Sequence, residues 1–177
     1  MILQGSYSMM VALMEIPSGY IADLFGRKKT LVLGTLFCFL GFALFSFSFG
    51  FWEFFIAELL LGVGNSFISG SDSALLYDSL LESEQSDEYT RIEGKTYSIG
   101  NFAEAGAGIL GGFLAEMSLR YPWYVQAVIA CLAIPFALSL VEPKIKGQQL
   151  EKSFGTIIKV VKYTLVEHKL LKWFTLF

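Results

Sequence analysis

Long apolar runs separated by short polar breaks dominate the chain. A bilayer-spanning helix needs ~20 mostly apolar residues. Five runs meet that length, at about 2–22, 30–49, 51–80, 95–117 and 122–141. A sixth begins near Leu170 and continues to Phe177. The breaks are Gly26-Arg27-Lys28-Lys29, Ser48-Phe49-Gly50, the charged stretch 82–95, and Leu119-Arg120-Tyr121-Pro122. Only helices and closed barrels satisfy every backbone polar group in lipid. These runs are too long for barrel strands. The pattern therefore predicts an all-α polytopic membrane protein.

The segment 142–169 departs from that pattern. Pro143 follows the fifth run, and Gly147-Gln148-Gln149 is polar. Phe154, Ile157, Ile158, Val161 and Leu165 then recur at helical spacing, with Lys152, Lys159 and Lys162 directed elsewhere. This predicts an amphipathic connector, either lying on the inner membrane surface or packed on protein. The expected organisation is a bundle over 1–141, the connector over 142–169, and the start of another span over 170–177.

Composition agrees. The 177 residues are 54% hydrophobic and 16% charged, against ~25% charged in a soluble domain. A net charge of −3 argues against a nucleic-acid partner. Cys38 and Cys131 sit inside apolar runs with no CxxC or metal-ligand spacing, so no disulfide framework, metal or cofactor is expected. The lone His168 lies among polar residues and reads as solvated. The start of the chain does not read as a signal peptide. No HExxH, nucleophile–base pair or metal cluster is found in the sequence, which argues against an enzyme. If the Gly26–Lys29 break faces the cytoplasm and the spans alternate, every Lys and Arg except Arg120 falls inside, as the positive-inside rule requires. Trp52, Trp123 and Tyr124 then fall at the outer interface, where amphipathic rings are favoured.

Three runs carry polar stripes. In the third, Glu58, Gly62, Asn65, Ser69 and Asp72 are spaced by 4, 3, 4 and 3 residues, which puts them on one helical face. Tyr97, Asn101, Glu104, Gly108 and Gly111 repeat the pattern in the fourth run. Gln4, Ser8, Val11, Glu15 and Ser18 repeat it in the first. Polar stripes within lipid face a bundle interior or a water-filled path, where they act either in function or as interhelical hydrogen-bond glue. An intramembrane carboxylate costs ~2.5–3.5 kcal/mol and calls for a partner. Missing helices, protonation or a cationic ligand would each supply one. Glu15, Glu58, Asn65, Asp72, Asn101 and Glu104 are thus candidates for a substrate or proton path. Ala103, Ala107 and Gly111 form one small-residue row, and Gly108 and Gly112 another, of the kind that lets helix backbones approach closely.

The motif Gly19-x-x-x-Asp23-x-x-Gly26-Arg27-Lys28-Lys29 resembles the loop signature between the second and third helices of the major facilitator superfamily. Glu15-Ile16-Pro17-Ser18-Gly19 ahead of it is similar to bacterial members. The resemblance implies that the five runs are the family's second to sixth helices, and that the connector joins its two six-helix halves. The two runs without charges, 30–49 and 122–141, would be peripheral, and the run with Glu58 would line the central cavity. It also implies a gating latch: Gly26 as a tight bend, Asp23 toward a helix end of the opposite half, and Arg27 paired with Asp78. Lys28 and Lys29 would mainly fix topology.

Leu24 stands where a basic residue often follows the Asp. Glu58 precedes Gly62 where drug antiporters of the family often carry an Arg. In Ala107-Gly108-Ile109-Leu110-Gly111-Gly112 the antiporter Pro is absent, so these motifs do not support drug/proton antiport. The chain reads as a fragment. The expectation is a secondary transporter of a small solute in a bacterial or archaeal plasma membrane, with the lipid bilayer and a missing C-terminal half as partners. The competing expectation is a membrane scaffold on the same fold.

Overall fold

Helix follows helix: α1 Ile2–Phe25, α2 Arg27–Phe47, α3 Phe51–Ser69, α4 Asp72–Glu82, α5 Tyr89–Met117 and α6 Tyr121–Ser139, with a short 3-10 turn at Ser86–Glu88. This computed structural model describes residues 2–143. Apart from Glu142 and Pro143, the expected connector and the run from Leu170 lie outside the described residues. No strand occurs among the described residues, and the all-α polytopic class holds. Arg27–Phe47, Phe51–Glu82 and Tyr121–Ser139 are long and apolar enough to cross a membrane. At 24 and 29 residues, α1 and α5 are long enough as well, about 36 and 43 Å. Their polar stripes dilute their apolar character.

The helix ends differ from the sequence pattern in instructive ways. The first two helices run to within one residue of each other, so Asp23 lies in the last turn of α1 and the cations open α2. The third run breaks at Gly70-Ser71, where the Ser71 N–H bonds back three residues to the Ile68 carbonyl. A Cβ on Gly70 would lie 3.0 Å from Ser18 Oγ of α1. The break thus coincides with a close approach that glycine permits. In the stretch 82–95, the helix resumes at Tyr89 and carries Arg91, Glu93 and Lys95.

Packing is uneven. α2 lies against both α3 and α6, and α1 against α3. Glycines set the α2–α3 crossing. A Cβ on Gly34 would meet the Gly64 carbonyl at 2.9 Å, one on Gly64 would meet Gly34 O at 2.8 Å, and one on Gly41 would meet Leu61 at 2.7 Å. Above that crossing, buried Phe45, Ala57 and Leu61 form the core, flanked by Tyr7, Cys38 and Phe42. Gly62 admits Tyr7 and Met10 of α1 in the same way. Beside it, buried Ser66 Oγ donates to Ser18 Oγ at 3.0 Å, a hydroxyl link of the kind that joins helices in lipid.

By contrast α5 meets only α4, the 3-10 turn and α6 among the described residues. It buries none of its residues. Among the described residues, no atom lies within 4 Å of a Cβ position on Gly108, Gly111 or Gly112, the glycines expected to pack. The close backbone contacts fall on α2 and α3 instead, because these helices cross with glycine on both sides.

Candidate functional site

The most built locus lies at the Gly26 end of the bundle. Gly26 alone reverses the chain between α1 and α2, at φ 103°, a region that L side chains rarely adopt. A Cβ there would also lie 3.0 Å from the Glu142 carboxylate. The next residue, Arg27, crosses to α4. Its Nη1 stands 2.9 Å from Asp78 Oδ2 and donates to the Ala74 carbonyl. Its Nη2 lies 3.8 Å from Asp23 Oδ1.

Burial ranks these contacts. The side chains of Arg27 and Asp78 are 18% and 7% exposed, while that of Asp23 is 51% exposed. Removing one partner of a buried ion pair costs about 3 kcal/mol or more, because the other charge is left uncompensated. An exposed pair such as Arg27–Asp23 contributes at most about 1 kcal/mol. Gly19, the first glycine of the motif, is helical and meets nothing within 4 Å at a Cβ position.

Three cations in the first turn of α2 oppose the positive end of its dipole. Glu142, just beyond α6, offsets them. Its Oε1 accepts the Arg27 N–H and its Oε2 the Lys28 N–H, each at 2.8 Å. Sequence reasoning assigned Glu142 to the connector and missed this role. The available signal was an acid in the Glu142-Pro143 step after the last span, which alternation places at the same end as Arg27.

A second locus is an open cavity of about 480 Å³ among α1, α2, α3 and α6. It is lined by Gln4, Tyr7, Cys38, Phe42, Phe45, Glu58, Leu61, Asn65, Trp123 and Gln126. Glu58 is half-buried and, among the described residues, is the sole charged one in that lining. Two residues of the expected stripe, Glu58 and Asn65, meet here.

The other path candidates lie elsewhere. Asp72 is exposed at the start of α4, its Oδ1 accepting the Ser73 N–H at 2.7 Å. The Ser73 hydroxyl joins α4 to α5 through Glu93 Oε1 at 2.7 Å. Glu15 is exposed on α1, and Asn101 and Glu104 are exposed on α5, which does not touch α1 or α3. Among the described residues, Gln4 of the first stripe joins Glu58 and Asn65 at the cavity, but the carboxylates of the three stripes do not converge on one site. They lie on helices that share one face of the sequence pattern but not one interface.

With this geometry in place, comparison with known proteins is informative. The profile of the Major Facilitator Superfamily matches residues 1–177. "Multidrug resistance protein 1" of Bacillus subtilis is 33% identical, with 75% of this chain and 35% of that protein covered. "Tetracycline resistance protein, class B" of Escherichia coli is 25% identical, over 72% of this chain and 31% of that protein. An uncharacterized MFS-type transporter of Methanocaldococcus jannaschii is 23% identical, over 84% and 38%. The chain spans about a third of the length of these relatives.

Proposed function

Because the chain belongs to the major facilitator superfamily, we propose that it works as part of a secondary active transporter, moving a small solute by alternating access. The family and the relatives named above are those of transporters rather than of enzymes. The observation that carries the proposal is the Arg27–Asp78 pair, almost out of water at one end of the bundle. It ties the α1–α2 turn to α4, the inner continuation of the stretch that carries Glu58. A tie of this kind holds that end closed, and its rupture accompanies opening. Asp23, exposed beside it, is free to meet the positive end of a helix in the other half of the transporter.

Arg27, Lys28 and Lys29 at this end support a cytoplasmic location for it under the positive-inside rule. The bacterial and archaeal relatives support a prokaryotic plasma membrane. Glu58 faces a cavity with Tyr7, Phe45 and Trp123, and among the described residues no cation lines it. A carboxylate among aromatic rings suits an amphiphilic cation, in keeping with relatives named for drug resistance. The absence of the antiporter Arg and Pro leaves the coupling mode to Glu58 itself and to Glu15, Asp72, Asn65, Asn101 and Glu104 as a proton or substrate path.

The test is uptake of radiolabelled tetraphenylphosphonium by the full-length protein in proteoliposomes, with and without a pH gradient. Saturable flux slowed at least tenfold by Asp78→Asn supports the proposal. No flux together with stable capture of another membrane protein replaces it with the scaffold reading.

A further inference from the structure

Two charged residues flank α6 and lie outside both the Arg27–Asp78 pair and the cavity lining. Arg120 lies just before the helix, and Glu142 shortly after it. Both reach α2. At one end, Glu142 accepts the N–H groups of Arg27 and Lys28 at 2.8 Å each. At the other, Arg120 donates from Nη1 to the Ser46 carbonyl and from Nη2 to the Ser48 carbonyl, both at 3.2 Å. Its guanidinium also sits 4.1 Å above the Phe49 ring. Between them the rings of Phe45 and Trp123 stack at 4.5 Å.

The signs are matched to the helix. The first N–H groups and last carbonyls of a helix lack intrahelical partners, and its ends carry partial positive and negative charge. A carboxylate meets the positive end of α2 and a guanidinium the negative end. Both are supplied by one antiparallel neighbour. The position of Arg120 explains a lone cation at the end that the positive-inside rule would leave empty. Glu142 does more than cap, since one of the two amides it holds belongs to Arg27, whose side chain grips Asp78.

We propose that Arg120 and Glu142 are positioning residues that clamp α2 to α6 at both ends, the Glu142 clamp holding Arg27 on Asp78. The second half of that statement rests on the latch reading above, and the first does not.

Two measurements separate them. The first is residue-resolved hydrogen exchange on this chain in lipid nanodiscs. Glu142→Ala should speed exchange of the Arg27 and Lys28 amides at least tenfold while amides in the middle of α2 stay protected. Arg120→Gln should speed exchange in the last turn of α2 at least fivefold. Glu142→Gln, which keeps the volume and one acceptor oxygen, guards against misfolding and should expose one of the two amides. Unchanged exchange at Arg27 and Lys28 in a folded Glu142 variant overturns the clamp.

The second is flux of tetraphenylphosphonium through the full-length protein. Glu142→Gln should lower kcat at least fivefold with KM unchanged, and should add nothing to Arg27→Ala. Losses that multiply in the double variant overturn the positioning of Arg27. If Arg27→Ala alone leaves flux intact, the latch reading and with it the second half of the proposal fall, while hydrogen exchange still decides the clamp.

Discussion

The α2–α3 crossing and helix α5 are built from the same ingredients and behave as opposites. Each carries glycines at helical spacing among apolar residues. On α2 and α3 the glycines face each other across backbone atoms less than 3 Å from where a Cβ would stand. On α5 the glycines from Gly106 to Gly112 meet nothing within 4 Å among the described residues. Association in lipid has no hydrophobic drive between helices and depends on close backbone approach. A small-residue row is therefore a capacity for packing, and only a matching row on a partner converts it into an interface. The carboxylates follow the same rule. Asp78 lies beside a guanidinium in the packed region, whereas Glu104 lies on the exposed side of α5.

The contrast is sharpest at Gly64. Gly64→Leu in this chain should lower stability by about 3 kcal/mol, because backbone at Gly34 and Cys38 must move to admit it. Gly111→Ala should change stability by less than about 1 kcal/mol. Unfolding in a graded mixture of mild and denaturing detergents would measure both. Equal effects at the two sites would show that close backbone approach does not distinguish the α2–α3 crossing from α5.

Next in size is the ion pair. Asp78→Ala should cost about 3 kcal/mol by stranding Arg27, and Asp23→Ala less than about 1 kcal/mol, in the same assay. The ordering reverses if Asp23 rather than Asp78 is the main partner.

Smaller still, Glu58→Gln should leave stability nearly unchanged and raise KM for tetraphenylphosphonium about tenfold, equivalent to about 1.4 kcal/mol. An unaltered KM removes Glu58 from the binding site. Glu104→Gln should shift stability by no more than about 0.5 kcal/mol, as befits an exposed position. In the full-length protein it should nonetheless abolish the pH dependence of flux. An unchanged pH dependence takes Glu104 out of the proton path.

The helices were legible because length and hydropathy report spans directly. The Gly26 turn and the approach of Arg27 to Asp78 were legible only through the family motif, since no local pattern links residues so far apart in the chain. Spacing put Glu58, Gly62 and Asn65 on one stripe. The structure divides that stripe: Gly62 packs against Tyr7 and Met10 of α1, while Glu58 and Asn65 line the cavity. Helical periodicity says which residues share a face and nothing about which neighbour that face meets. For the same reason the glycine row on α5 was legible as a candidate for packing, whereas the close glycine contacts of α2 and α3 were not. Glu142 escaped because its partners are backbone N–H groups, and sequence displays side chains only. Arg120 was noticed as the one cation on the wrong side, but its reason, the carbonyls at the end of α2, was hidden in the same way.

Whether Arg27 and Asp78 act as one latch in a transporter is decided by a double-mutant cycle on the full-length protein in proteoliposomes. Tetraphenylphosphonium uptake would be measured for Arg27→Ala, Asp78→Ala and the pair. If the two act as one latch, each single change lowers kcat at least tenfold with KM within about twofold, and the double variant is no slower than the slower single one. Losses that multiply, or a raised KM at unchanged kcat, would contradict the latch.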